Sequence, residues 1–550
     1  MQFNVNKMIS LVIFIGIVSG CSTSSLYRQV ETSRVLEVTP GYIALPSIKS
    51  YSTTKLIAHC NALDEQSDIG AALLLRCSKE LLSRTDLTVK NKSNAINAYN
   101  DSLLSLLKML NSEQSHLEVI RDGADSYIVA SEMDAKDPRL QPKIWGEIGL
   151  AVTSIERNSG DIDHVYYPKE GIFNVGTFIA GDIYLDGLVL KVHLKFHDAI
   201  YSQKIKFGTN THTARVSPGA AYLGLLNVAD IDDFSLLGFT TPAKAEARRG
   251  VFSIGKFAAD KIPLVMIHGL NSDPLIWKYL TMSILNEPDL QTTHQILHVY
   301  YPSGPPPFFN AMMIRRDIDS FLSTFQPDAS RSEAVIVGHS MGGIIAKTLV
   351  SSPQYALWDA TFKSRPEIVL MSENAELQDI FIFEPLFEHA TVFFLDTPHR
   401  GSAVANSFVG SVGSALVRLP SDFKSIFKNF IERVGVKVLT PEMLPFLKDF
   451  GPNSVQVLAP GHPLMQALLK LPVNGESYSI IGSNTQHVCD INSLIGCTTI
   501  SDGVVEFNSA FLGDKKRSLV VQSSHNSFNN QQTINYIIHA LRAKSLHQLP

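Results

Sequence analysis

A serine hydroxyl attacks a carbonyl carbon only when a base takes its proton, and this chain carries residues with the types and flanks for that chemistry. Ser340 lies in Gly338-His339-Ser340-Met341-Gly342, a G-x-S-x-G pentapeptide. Before it, Glu333 to Val337 is short, apolar and β-branched, as a buried parallel strand requires. After it, Gly343 to Val350 reads as a helix. Strand, sharp turn and helix convert a pattern common by chance into a nucleophile elbow, which holds the serine strained and its hydroxyl clear of the backbone. Gly338 and Gly342 fit that turn because a Cβ would collide across it. The chain has 17 histidines, so position rather than residue type must select the base. His525 follows the strand-like Ser518 to Gln522 and precedes the terminal helix, and imidazole titrates near working pH. Asp502, on the turn Ser501-Asp502-Gly503, would orient the imidazole and stabilise its charged form. Asp396, before Thr397-Pro398-His399-Arg400-Gly401, is the alternative acid; Asp490 is a further rival that could equally cap a turn.

Acyl transfer also needs donors aimed at the developing oxyanion, and losing one costs about 3 kcal/mol. The backbone N–H of Met341 is one candidate, fixed by the elbow. The second is the N–H of Leu270, in the loop His268-Gly269-Leu270 after the apolar run Ile262 to Ile267. His268 is then a structural residue of that loop. No H-E-x-x-H, dinucleotide-binding or P-loop fingerprint occurs, so neither metal nor organic cofactor is expected.

These residues need a scaffold. Apolar strands are expected at 262–267, 295–301, 334–337, 390–395, 478–481 and 518–522, with a last helix over 531–544. Strands alternating with helical segments specify an α/β fold, a mainly parallel sheet covered on both faces. Two long interruptions, 352–388 and 403–470, would form a cap over the carboxyl ends of the strands. Upstream, the periodicity over 53–114 is helical, with Ile96, Tyr99, Leu103, Leu106, Leu107 and Leu110 on one face. Residues 115–240 read as a β-rich accessory domain, in which Val189 to His197 alternates like a half-buried strand. His193 and His197 share one face there and are expected beside Lys191 and Lys195 facing solvent, not as metal ligands. A polar stretch, 241–254, reads as the linker to a catalytic domain over 255–546.

At 550 residues the chain exceeds one ordinary core, and a net charge of -5 gives no reason to expect nucleic acid as partner. Lys7 and the apolar run Met8 to Val18 make residues 1–20 a signal peptide, too short to span a bilayer, which needs about 20 apolar residues. Ser19-Gly20-Cys21 is similar to the bacterial lipobox, which implies lipidation of Cys21 and a lipid-anchored tether over 21–52. Ser22 after that cysteine implies release to the outer membrane, with the protein facing the periplasm. Four cysteines remain, and an oxidising compartment favours two disulfides. Cys60–Cys77 and Cys489–Cys497 is the local choice among three pairings.

Together, His268-Gly269-Leu270, Tyr301 to Gly304, Gly338 to Gly343, Thr397 to Ser402, Ser501 to Val505 and Ser524-His525 resemble α/β-hydrolases of the lipase/esterase type over about 255–546. The nearest resemblance is to bacterial lipoprotein lipases similar to the GPI inositol-deacylase group. That resemblance implies Ser340 as nucleophile, His525 as base and Asp502 as acid. Where those sequences usually have alanine before Thr-Pro-His, this chain has Asp396. The expected activity is hydrolysis of carboxylic esters of lipids or other apolar acyl compounds. An acyltransferase with the same three residues, a peptidase, and a non-catalytic envelope scaffold are the alternatives.

Overall fold

The computed structural model describes residues 25–31, 36–38, 45–109, 116–121, 127–161, 165–199, 203–229, 245–325, 333–364, 375–404, 436–444 and 454–548. The expected signal peptide and Cys21 lie outside them, as does most of 403–470. Among the described residues no helix is long and apolar enough to cross a membrane.

The chain opens with α1 (Thr53–Asn61), α2 (Asp68–Leu82) and α3 (Val89–Lys108). Ser52, Ser67 and Thr88 start them, each side chain accepting a first-turn backbone N–H that would otherwise lack a partner. The Cys60–Cys77 disulfide ties α1 to α2. A mixed sheet follows: β1 (Leu117–Arg121), β2 (Ile128–Val129), β3 (Leu150–Glu156), β4 (Ile172–Asp186) and β5 (Val189–Asp198), in the order β1-β5-β4-β3-β2. The helices pack on it through polar as well as apolar contacts. Tyr99 Oη accepts the Ala180 N–H at 2.7 Å, and Asn100 Oδ1 accepts the Gly149 N–H at 2.8 Å. His193 and His197 are half-buried on β5, and the His193 ring lies 5.8 Å from that of Tyr184.

One helix inside the stretch expected to be β-rich has no counterpart in the sequence reading. α4 (Pro218–Val228) is buried over Pro218 to Leu226 and starts with Ser217 accepting the Ala220 N–H and Pro218 in its first turn. Helices apolar all round belong in an interior, and α4 packs against both β3 and β4 and the helix Lys278–Leu285. Its Tyr222 and Leu223 share a hydrophobic cluster with Leu280 and Met282.

The second sheet has seven strands: β6 (Gly250–Ser253), β7 (Ile262–Ile267), β8 (His294–Tyr300), β9 (Glu333–His339), β10 (His389–Leu395), β11 (Gly475–Ser483) and β12 (Ser518–Gln522). Their order is β6-β8-β7-β9-β10-β11-β12, parallel throughout except for β6. β6 falls inside the stretch expected to be linker. Gly250 to Ser253 pair antiparallel with Tyr300 to Leu297, and Val251 and Ser253 are buried on one face of the strand, so the second sheet begins earlier than its apolar pattern suggests. Side-chain alternation splits the core into two layers. Leu264 and Met266 of β7 point to one face, with Ile537 of the terminal helix Gln531–Gln548. Val265 and Ile267 point to the other, with Phe321 and Ile344. This order, with a helix after the central strand β9, is an open, mainly parallel α/β sheet.

The two interruptions do different things. The described part of 352–388 does not cover the strand ends. Its Leu386 N–H bonds the carbonyl of Leu349, which ends the nine-residue helix that begins just after Ser340, so it sits at the far end of that helix. Leu357, Trp358, Phe362 and Phe381 are buried there, in the layer behind the site, rather than free to form a lid. Of 403–470, Ser454 to Leu458 does reach the strand ends: Ser454 donates its N–H to Gly304 and Leu458 O accepts that of Ser402.

Candidate active site

Ser340 follows β9 at φ 53° and ψ -122° and precedes the helix Met341–Leu349. A non-glycine residue rarely adopts such a backbone, at a cost of about 1–3 kcal/mol, and this one is held by its surroundings. A Cβ on Gly342 would lie 2.3 Å from the carbonyl oxygens of Ile267 and His268, and one on Gly338 would lie 2.6 Å from the Gly342 oxygen. Only glycine lets the helix close onto β7 and the turn close onto itself.

His525, on the loop after β12, reaches both partners. Its Nε2 is 2.9 Å from Ser340 Oγ and its Nδ1 is 2.7 Å from Asp502 Oδ2. Asp502 sits on a turn between β11 and β12, beyond the Cys489–Cys497 loop, and is 2% exposed. Its other oxygen, Oδ1, accepts the N–H groups of Val504 and Val505, each at 2.7 Å. Burial by itself would lower the pKa of His525. The bond to Asp502, and the charges of Asp502 and Asp396, outweigh it and raise the pKa above its ordinary 6.5.

Asp396 makes no bond to His525. It directly follows β10 at φ 48° and is 1% exposed. Oδ1 accepts the Gly482 N–H at 2.8 Å and Oδ2 accepts the Ser527 N–H at 3.0 Å. Nitrogen or oxygen atoms of His339, Asp396 and His525 lie within 4.8 Å of one another. Both nitrogens of His525 are committed to Ser340 and Asp502, so a cation there would have to break that relay. Asp490 is exposed and caps its own turn, accepting the Asn492 N–H and the Ser493 hydroxyl inside the loop closed by Cys489–Cys497.

His268 is fully buried, and burial holds its pKa down to about 4, so it stays neutral. Its ring stacks on Tyr301, centroids 4.3 Å apart, while Tyr301 Oη donates to the His268 carbonyl at 2.7 Å. These contacts fix the loop that carries Leu270, which is half-buried beside Ser340. Met341 is the first residue of its helix, so its N–H has no intrahelical acceptor.

A cavity of about 230 Å³ opens over Ser340 and His525. Leu270, Pro398, Val404, Val455, Leu458 and Val505 make its wall mainly apolar. Apart from Leu270, sequence reasoning did not find these residues, because no motif marks a lining drawn from four separate segments. Nor did it assign a role to Thr397–Ser402. That segment clamps the Asp502 turn: Ser402 Oγ donates to Val504 O, Ser509 Oγ to Gly401 O at 2.6 Å, and Arg400 to the carbonyls of Asn508 and Phe511.

No family model matches the chain, and no curated protein matches it. Solved structures do. A Bacillus licheniformis lipase, BlEst2 in mature form, is 15% identical and covers 53% of this chain and 97% of its own, with a TM-score of 0.30. Staphylococcus hyicus lipase is 12% identical, covering 52% of this chain and 99% of its own at a TM-score of 0.31. A thermostable carboxyl esterase from Bacillus coagulans is 11% identical, covering 53% and 91% at 0.26.

Proposed function

We propose that this protein is a serine hydrolase that cleaves carboxylic esters of lipids or other apolar acyl compounds. Ser340 attacks the ester carbonyl as His525 takes its proton, and Asp502 holds the imidazole and balances its charge. The N–H groups of Leu270 and Met341 receive the oxyanion. The alcohol leaves with the proton from His525, and water activated by the same imidazole then releases the acid. One observation carries the proposal: the Ser340–His525–Asp502 relay, at 2.9 and 2.7 Å, opens onto a mainly apolar cavity. Such a wall favours an acyl chain over a charged or peptide group. The lipobox-like Cys21 supports a further part of the proposal, a lipid-anchored enzyme at the periplasmic face of the outer membrane. The motif resemblance supports kinship with lipases of the GPI inositol-deacylase type.

The test is turnover of p-nitrophenyl esters of rising acyl length by the wild type and by Ser340→Ala. The proposal expects hydrolysis that improves beyond short acyl chains and vanishes in the variant. Turnover unaffected by Ser340→Ala would refute the mechanism, and turnover confined to acetate would refute the apolar acyl substrate.

A further inference from the structure

Asp396 is a buried carboxylate that the reaction above does not use, and its geometry gives it a task. It ties together the ends of three parallel strands: it directly follows β10, Oδ1 holds the N–H of Gly482 on β11, and Oδ2 holds the N–H of Ser527 after β12. Ser527 is two residues from His525, and Gly482 lies on the strand that leads into the Asp502 segment. A Cβ on Gly482 would lie 3.0 Å from Asp502 Cβ and 3.1 Å from Asp396 Oδ1, so any larger residue there would press on both carboxylates. We propose that Asp396 is a positioning residue for His525, a second carboxylate that pins the base's loop through Ser527 and supports the imidazolium with its charge from within 4.8 Å. The proposal rests on His525 being the base.

The groups facing Asp396 are Asp502, His525 and His339, whose Nε2 is 3.8 Å away. Burial keeps His339 neutral at working pH, so it offers no counter-charge. Burial first, and then the charge of Asp502, push Asp396 up to about 6, against which the His525 charge and the Ser527 bond pull down. The charge of each group favours the charged form of the other, so the two titrations are linked. Asp396 is ionised, and supports the imidazolium, only above about pH 6.

The experiment is an NMR titration of histidine-labelled full-length protein, with the His525 signal assigned by its loss in His525→Asn. In the wild type the His525 curve is broadened by the second proton. In Asp396→Asn the curve becomes a single step and its midpoint falls by about one to two pH units, the effect of removing a buried charge within 5 Å. Asp396→Glu restores the midpoint toward that of the wild type. A structural strut alone would lower the melting temperature of Asp396→Asn and leave the midpoint in place, which would overturn the proposal. If the asparagine variant does not fold, a sharp one-proton His525 curve in the wild type overturns it instead. The titration does not depend on turnover. A shifted midpoint in a protein that hydrolyses no ester refutes the ester reading alone, and an unshifted midpoint in an active one refutes this proposal alone.

Discussion

Replacing Asp502 with asparagine changes one atom and should disable the reaction, for a reason set by the hydrogen bonds around it. Oδ1 of Asp502 accepts two backbone N–H groups, from Val504 and Val505, each at 2.7 Å. An asparagine must keep its carbonyl oxygen there, because turning its NH2 group toward two donors would leave all three without acceptors. The NH2 then faces His525 Nδ1, where the carboxylate oxygen now lies at 2.7 Å. That nitrogen must present its lone pair, so the ring proton moves to Nε2, which is 2.9 Å from Ser340 Oγ. A protonated Nε2 cannot accept the serine proton. The wrong tautomer in such a relay costs roughly 10,000-fold in kcat, about 5.5 kcal/mol at ~1.4 kcal/mol per decade. Initial rates of ester hydrolysis at saturating substrate, with circular dichroism to verify folding, provide the assay. A folded Asp502→Asn protein that keeps a tenth of wild-type kcat would refute the tautomer argument. A ten-thousandfold loss in Asp396→Asn, with Asp502→Asn active, would make Asp396 the acid.

Other expectations follow from the same contacts. Hydrolysis should fall as acid protonates His525, with the midpoint of the acid limb of kcat/KM above 6.5, since the Asp502 bond and nearby charges overcome the lowering effect of burial; a midpoint below 6.5 would contradict this. The sign for stability is opposite. A histidine with a raised pKa contributes stability below 6.5 and loses it as pH climbs through the folded value, so Asp502→Ala should narrow the gap between melting temperatures at pH 6 and pH 8. Ser340→Gly should abolish hydrolysis while stabilising the fold by about 1 kcal/mol, because glycine adopts φ 53° without strain; an unchanged or lower melting temperature would show that the elbow stores none. Removing the Cys60–Cys77 disulfide, whose partners are 17 residues apart, should cost about 3 kcal/mol in denaturant unfolding and leave kcat intact.

The features legible in the sequence are those where one physical demand dictates residue type. The elbow needs glycines at 338 and 342, buried parallel strands need β-branched runs, Ser340 and His525 follow strands and Asp502 sits on a glycine turn, so the three can be named from pattern. The two disulfides are formed between cysteines close in sequence. What stayed hidden depends on tertiary partners. α4 is apolar on every side, and without periodicity a buried helix resembles nothing in particular. β6 is four residues long and becomes a strand only by pairing with β8. The apolar residues of 352–388 could have served a lid or an interior layer, and packing against the helix behind Ser340 decides for the layer. The work of Thr397–Ser402 is done mostly through carbonyls a hundred residues downstream, which no local pattern encodes.

The central claim is that Ser340 is a nucleophile because His525 takes its proton. Mass spectrometry of the full-length protein after reaction with a fluorophosphonate measures this directly. The account predicts one adduct per chain, carried by the peptide that contains Ser340, and its loss in His525→Ala. A folded protein that forms no adduct, or forms it at another residue, or labels equally well without His525, would contradict it.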